Sequence, residues 1–487
     1  MVSTLYKKMA IGAGWMTLFT MAHRFLGLIS TVILARLLIP QDFGIIAMSM
    51  SLIAAVELLT GLSLHVVLVQ REQLDDVHYN SAFTLNWVLA SIAAALVFLL
   101  APSTAAFFDE PRLVPVIYVL AFSVFVKGFE NIRIVDFQRD MEFNKDFLVR
   151  FIPRLAGFLI TVPLAILTKS YWALVAGMVG VSVVQVLVSY IVKPMLPRLT
   201  LSAARELLGF SSWLLLTNVL AYAFLRGRDI IVGRTLGSTG LGSYTLGNEI
   251  ATMPSSQLIM PINRAVYPGY AKLGRNLVDL RKGFADVTAV IALIGFPVSL
   301  GVAAVAAPLV GLLLGDKWLH IVELLKLLAI NGAIGVGLTN IGPVFNALAR
   351  PRYMAYLQVI SIATLLPLSY WFATRHGLTA IGYATLLSSA ISVPISFWFT
   401  LRILEMSWGQ LLAILWRPAL AATVMFVCVT WVLTFDYPNL VFSLAAGVVT
   451  GVLVYLTCIF GTWVLAGRPE GAESFVVTKI RDKLLSG

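Results

Sequence analysis

Long apolar runs recur along the chain, separated by short clusters of charge, glycine and proline. Stretches such as 87–101, 171–192 and 440–465 are apolar on every face, without the two-residue alternation of a barrel strand. The pattern predicts helices, because about 20 apolar residues rising 1.5 Å each are what it takes to cross roughly 30 Å of hydrocarbon. Fourteen such spans are predicted, near 10–35, 42–67, 80–102, 112–136, 148–168, 171–193, 209–233, 241–264, 284–308, 318–346, 353–373, 378–402, 409–434 and 438–465.

Composition agrees with a chain whose solvent is the bilayer. Hydrophobic residues make up 59% of the 487 and charged residues 12%, and the mean hydropathy is +0.90, which leaves too little polar surface to coat a soluble globule. The basic start at Lys7 and Lys8 resembles a signal peptide, but the span after it is too long and no small-residue cleavage site follows, so it is expected to be retained. Lys and Arg crowd the even-numbered connections, whereas the odd-numbered ones hold only Arg36, Arg112, Lys169, Arg234, Lys317 and Arg375. This asymmetry predicts both termini in the cytoplasm. It also absorbs the net charge of +11 in an inner rim facing anionic headgroups, so no nucleic-acid partner is expected. Cys428 and Cys458 lie inside predicted spans without metal-ligand spacing, and no phosphate loop or hydrolase motif is present. No metal, cofactor or catalytic residue, and hence no enzyme, is expected.

The two halves repeat each other. An offset of 198 residues places Val32-Ile33-Leu34-Ala35-Arg36 on Ile230-Ile231-Val232-Gly233-Arg234, Leu38 on Leu236 and Gly44 on Gly242 without a gap. A weaker echo sets 109–121 against 316–329. Six spans separate the copies, so they share one membrane orientation and form a parallel repeat about an axis along the membrane normal. The expected fold is all-α: a lobe of helices 1–6 (1–195), an interfacial linker (196–208), a lobe of helices 7–12 (209–403), two additional helices (404–466) and a cytoplasmic tail (467–487).

The segment from Leu34 to Gly44, its echo from Asp229 to Tyr244, and Met260-Pro-Ile-Asn-Arg-Ala-Val-Tyr-Pro-Gly-Tyr-Ala-Lys-Leu273 resemble the polysaccharide-transporter branch of the multidrug/oligosaccharidyl-lipid/polysaccharide flippases, and within it the colanic-acid exporter and Wzx-like members. The resemblance implies two facing six-helix lobes with two extra helices. It also implies a bacterial inner-membrane flippase that carries an undecaprenyl-pyrophosphate-linked oligosaccharide toward the periplasmic leaflet, for lipopolysaccharide, capsule or exopolysaccharide assembly. A polysaccharide polymerase and a chain-length regulator are the partners it suggests beside membrane lipids. The competing readings are a drug or cation antiporter of the same superfamily, a peptidoglycan-precursor flippase, and a membrane glycosyltransferase, for which the outer loops are too short to carry a catalytic domain.

An anionic pyrophosphate carrying a glycan needs positive charge inside a cavity. Arg24 lies mid-span in the first helix, where a guanidinium in hydrocarbon costs roughly 2.5 to 3.5 kcal/mol, so it should face water or a partner. His23 beside it is read as packing or hydrogen-bonding structurally, with a proton relay in a cavity as the alternative. Arg226, Arg228 and Asp229 occupy the outer half of the seventh helix. Arg226 and Asp229 share a face and can pair, and snorkelling to the outer surface is the alternative to a cavity role for the arginines. Glu57 and Glu249 are the carboxylates set inside spans, either balancing an arginine, binding a coupling ion, or closing a structural ion pair. Arg264 and Lys326 are candidates for the cytoplasmic mouth, with contact to lipid phosphates as the alternative. Prolines inside spans, among them Pro254, Pro261, Pro297, Pro343 and Pro394, let helices bend. The charged 127–150 connection is expected to extend the fourth helix, and 202–208 to lie along the inner interface.

Overall fold

The computed structural model describes residues 2–60, 64–70, 74–207, 212–274, 276–350 and 352–467. These residues are almost wholly helical, with no strand among them. Among the described residues eleven helices are long and apolar enough to cross a membrane, or twelve if one bent pair is counted as a single span. The seventh and eighth predicted spans fall on one long kinked helix, Ser212–Leu273. The protein is therefore an all-α multi-pass membrane protein. Its contacts divide it into two compact units, Met1–Gly242 and Ser243–Gly487.

In the first unit, α1 (Val2–Leu37) and α2 (Pro40–Thr60) are joined by two residues. Pro40 opens α2 at the position that needs no N–H, and the Asp42 carboxylate accepts the Ile39 N–H at 3.0 Å. A short α3 (Leu64–Gln70) precedes α4 (Asp76–Phe108), longer at both ends than its apolar core suggested. The expected extension of the fourth span is instead a bend. After α5 (Leu113–Lys127) the axis turns 66° into a 3-10 turn at Ile132–Ile134 and α6 (Val135–Arg139). Gly128 closes α5, and Asn131 starts the next segment by accepting the Arg133 N–H at 3.0 Å. An Asx N-cap of this kind satisfies a free N–H and starts the next helical segment. Then come α7 (Phe143–Thr168), α8 (Trp172–Val192) and a single turn, α9 (Ala204–Leu207), in the linker. Ser123 and Ser182 hydrogen-bond at 2.7 Å between α5 and α8.

The helix α10 (Ser212–Leu273) runs from one unit into the next, and its sole non-helical residue is Gly237, at φ 67° and ψ −170°. The loop expected at 234–240 shrinks to this residue, because only glycine enters that region without a steric penalty.

In the second unit, α11 (Leu277–Ala304) breaks at Val305 into α12 (Ala306–Leu313). The tenth predicted span is also interrupted, as 3-10 turns at Asp316–Ile321 and Val336–Asn340 flank α13 (Val322–Gly335) before α14 (Ile341–Ala347). Asn340 holds the second break inside the core. Its amide donates to Thr288 Oγ1 at 3.0 Å and to the Phe284 carbonyl at 3.3 Å, and its oxygen accepts from Tyr270 at 3.0 Å. A broken helix is tolerated at membrane depth only where protein groups take over its backbone and side-chain polarity. Around it pack Leu280, Phe345, Phe397, Leu401 and Leu404. The unit ends with α15 (Arg352–His376), α16 (Leu378–Leu404), α17 (Trp408–Val432) and α18 (Leu440–Leu465), the last two packed on α11 through Met425, Val429 and Tyr455.

Candidate functional site

The repeat found in the sequence is a physical contact within the first unit. A Cβ added to Gly44 would overlap the Ser238 carbonyl and stand 2.8 Å from its Cα, while one added to Gly242 would overlap the Pro40 carbonyl and stand 2.8 Å from Gly44 N. Pro40 and Ser238 are related by the same offset of 198 that relates the two glycines, so each copy presses its glycine on the other's carbonyl. The helix starts that follow the two junctions therefore cross in backbone contact.

Beside this crossing sits a charged clasp that the sequence reading missed. Glu110, only 9% exposed, takes Nε and Nη2 of Arg112 at 2.7 and 2.8 Å and the Ser238 hydroxyl at 2.9 Å. The Arg112 guanidinium holds the Glu110 carboxyl below the usual carboxylate range against the opposing effect of burial, and Ser238 adds to it. Glu110 in turn raises the Arg112 pKa. The clasp fastens the turn after α4 to the kink of α10.

Arg24, Arg154, Arg226 and Arg228 lie on the long helices α1, α7 and α10. Arg24 is half-buried on α1, one turn from Gly27, whose missing Cβ would lie 3.8 Å from Arg154 Nη2 of α7. Aromatic contacts hold the same two helices together, Trp15 and Phe19 against Phe147 at 5.4 and 6.1 Å. Further along α1 a cavity of about 180 Å³ is lined by Ser30, Arg154, Thr161 and apolar residues of α1, α7 and α8. Arg154 was not singled out from sequence. An arginine two turns into a predicted span, with no acid three or four positions away, was the available signal. Arg226 and Asp229 pair at 3.1 Å as their spacing predicts, with Asp229 9% exposed, while Arg228 is half-buried on the same helix. Tyr222, the counterpart of Arg24 in the repeat, donates to the Ser51 carbonyl of α2 at 2.8 Å.

Glu57 lies in the last turn of α2, 3.5 Å from Lys127, so it balances a lysine rather than an arginine. Lys326 pairs with Glu323 at 2.7 Å on α13. Glu249 is exposed on the second arm of α10 in the other unit. The Arg264 side chain lies outside the described residues. Among the described residues, no group of three His, Cys, Asp or Glu could hold a metal ion. The arrangement supplies fixed positive charge and ion pairs within membrane helices.

A family described as polysaccharide biosynthesis proteins matches residues 33–323, which include both copies of the repeat junction. The chain belongs to that family. This family member is 28% identical to the lipopolysaccharide biosynthesis protein WzxC of Escherichia coli (strain K12) over 375 residues, 75% of each chain. It is 23% identical to the succinoglycan biosynthesis transport protein ExoT of Rhizobium meliloti (strain 1021) over 476 residues, 94% of this chain and 93% of that one. Among solved structures it superposes on the lipid II flippase MurJ in an inward closed conformation with a TM-score of 0.74 at 13% identity, covering 93% of this chain and 100% of that one. A multidrug-resistance transporter of the MATE family gives 0.57 at 14% identity, covering 79% of this chain and 94% of that one. The chain thus shares the fold of these two transporters and is a multi-pass protein of the bacterial inner membrane.

Proposed function

We propose that this protein flips a lipid-linked oligosaccharide repeat unit from the cytoplasmic to the periplasmic leaflet for assembly of a surface or secreted polysaccharide. The observation that carries the reading is the set of arginines at Arg24, Arg154, Arg226 and Arg228 on membrane-spanning helices, in a chain whose relatives are named for polysaccharide biosynthesis and transport. A guanidinium at such depth is costly unless it meets an anion or water, and a pyrophosphate head is a matched anion. Both termini are cytoplasmic, transport proceeds by alternating access, and the polymerase and chain-length regulator of the same assembly receive the product. Asp229 holds Arg226 in place, and Arg24, at mid-span in α1, is the leading contact for the cargo. The same arginines disfavour the drug-antiporter reading, since they would repel an organic cation.

Deletion of the protein is expected to leave undecaprenyl-linked oligosaccharide on the cytoplasmic face, cured by the wild type and not by Arg24→Ala expressed at a normal level. Absence of that accumulation, together with a loss of drug tolerance, would replace this reading with the antiporter.

A further inference from the structure

Away from the arginines of α1 and α10, the first unit carries a second polar cavity, where α4, the 3-10 turn at Ile132–Ile134 and the end of α8 meet the linker. It encloses about 580 Å³ and is lined by Asp76, Asn80, Arg133, Tyr190 and Arg198 together with Pro194, Met195 and Leu196. The linker forming its outer wall is fixed to α4 by three bonds to side chains one turn apart. Arg198 N donates to Asn80 Oδ1 at 2.9 Å, Thr200 N to Thr84 Oγ1 at 3.1 Å, and Ala203 N to Ser81 Oγ at 3.2 Å. An irregular segment held this firmly is a built wall.

The donors of the cavity outnumber its acceptors. Asp76 is taken by Arg133, which also lies over the Tyr79 ring at 4.8 Å. Arg133 Nε is nevertheless buried without a hydrogen bond, and the Asn80 oxygen is used by the linker, so its NH2 remains as a donor. Arg198 is exposed along the rim and adds a second guanidinium, which leaves the cavity one positive charge in excess. The linker beside it turns Leu196, Leu199 and Leu201 outward, at 92%, 68% and 54% exposure. Three leucines spread on an outer surface next to a cationic, donor-rich cavity match the boundary between acyl chains and headgroups, where apolar side chains sink and arginines meet phosphate.

We infer that this cavity binds the phosphate of a lipid headgroup, Arg198, Arg133 and Asn80 donating to its oxygens while Leu196, Leu199 and Leu201 lie among the acyl chains. Arginine grips phosphate with two parallel N–H donors, which the Arg133–Asp76 pair alone does not exhaust. The lipid is either a bulk anionic phospholipid or a polyprenyl phosphate of the class to which the proposed cargo belongs. The inference does not depend on transport, since it is read by binding.

The test uses the full-length protein purified in detergent, with bound lipid counted by native mass spectrometry during titration with phosphatidylglycerol and, in a second arm, undecaprenyl phosphate. Arg198→Gln is expected to weaken the tightest phosphatidylglycerol site about fivefold, the worth of one interfacial charge. Tyr190→Phe and Leu196→Ser/Leu199→Ser should weaken it less, and Arg352→Gln, an equally exposed arginine of the other unit, should leave it unchanged. Competition by undecaprenyl phosphate at an equal mole fraction, dependent on Arg198, assigns the cavity to the polyprenyl lipid. Its failure to compete assigns the cavity to phospholipid. Unchanged affinity in both Arg198→Gln and the leucine double variant, or an equal loss in Arg352→Gln, would overturn the inference.

Discussion

The two repeat junctions reach the same crossing with different chemistry. Between α1 and α2 the chain turns through Leu38 and Ile39, and Pro40 and the Asp42 cap start the next helix in ordinary backbone geometry. In α10 the equivalent turn is a single left-handed residue, Gly237, followed by Ser238, which has no cap of its own but binds Glu110 from 128 residues away in the chain. Symmetry is kept in the backbone contact of Gly44 and Gly242 and lost in everything that fixes it. One copy is locked by local sequence and the other by a distant ion pair.

The comparison is broken most severely at the contact itself. Gly44→Val and Gly242→Val should each abolish folded protein, a loss above about 4 kcal/mol, since the clash is with backbone that cannot turn aside. Fluorescence-detected size exclusion reads this directly, and a folded Gly242→Val beside an unfolded Gly44→Val would show that the contact is not reciprocal. Next in size, Glu110→Ala should cost about 1 to 3 kcal/mol, by stranding Arg112 and Ser238, whereas Asp42→Ala should cost nearer 1. Thermal melts of the purified variants compare the two locks.

Acidity separates the junctions further. The Glu110 carboxyl is held below its ordinary value, so its contribution is complete at neutral pH and fades only as the pH falls through its own lowered pKa. The gap in melting temperature between wild type and Glu110→Gln should therefore be constant above about pH 5 and narrow below about pH 4. A gap that widened on acidification would remove the clasp from the account. Smaller again, Gly237→Ala should destabilise by about 1 to 3 kcal/mol through its dihedral angles, while Ile39→Gly at the matching position should cost below about 1. Smallest is Tyr222→Phe, expected to lose about 0.5 to 1.5 kcal/mol with its bond to Ser51.

Much of this fold was legible because the membrane makes hydrophobicity nearly one-dimensional: each run of apolar residues long enough to cross is a helix. The offset of 198 and the Arg226–Asp229 pair were legible for similar reasons, the first being a pattern of identities and the second a spacing on one helix face. The bend after Lys127 and the break at Val336–Asn340 were hidden, since Asn131 and Asn340 act through partners that only tertiary structure brings close. The Glu110–Ser238 clasp was hidden for the same reason. Arg154 escaped because it stands near a charged connection, where position along the chain does not separate a rim residue from one facing α1.

The reciprocal glycine contact also has a meaning in descent. In an isologous interface, residue i of one subunit meets j of the other while j meets i, the relation that Gly44 and Ser238 bear to Gly242 and Pro40. Two identical half-length chains would have formed this contact across a two-fold axis, with one glycine serving both sides. In a single chain the same contact needs both glycines at once, while the residues around them can differ, as Asp42 and Ser238 do.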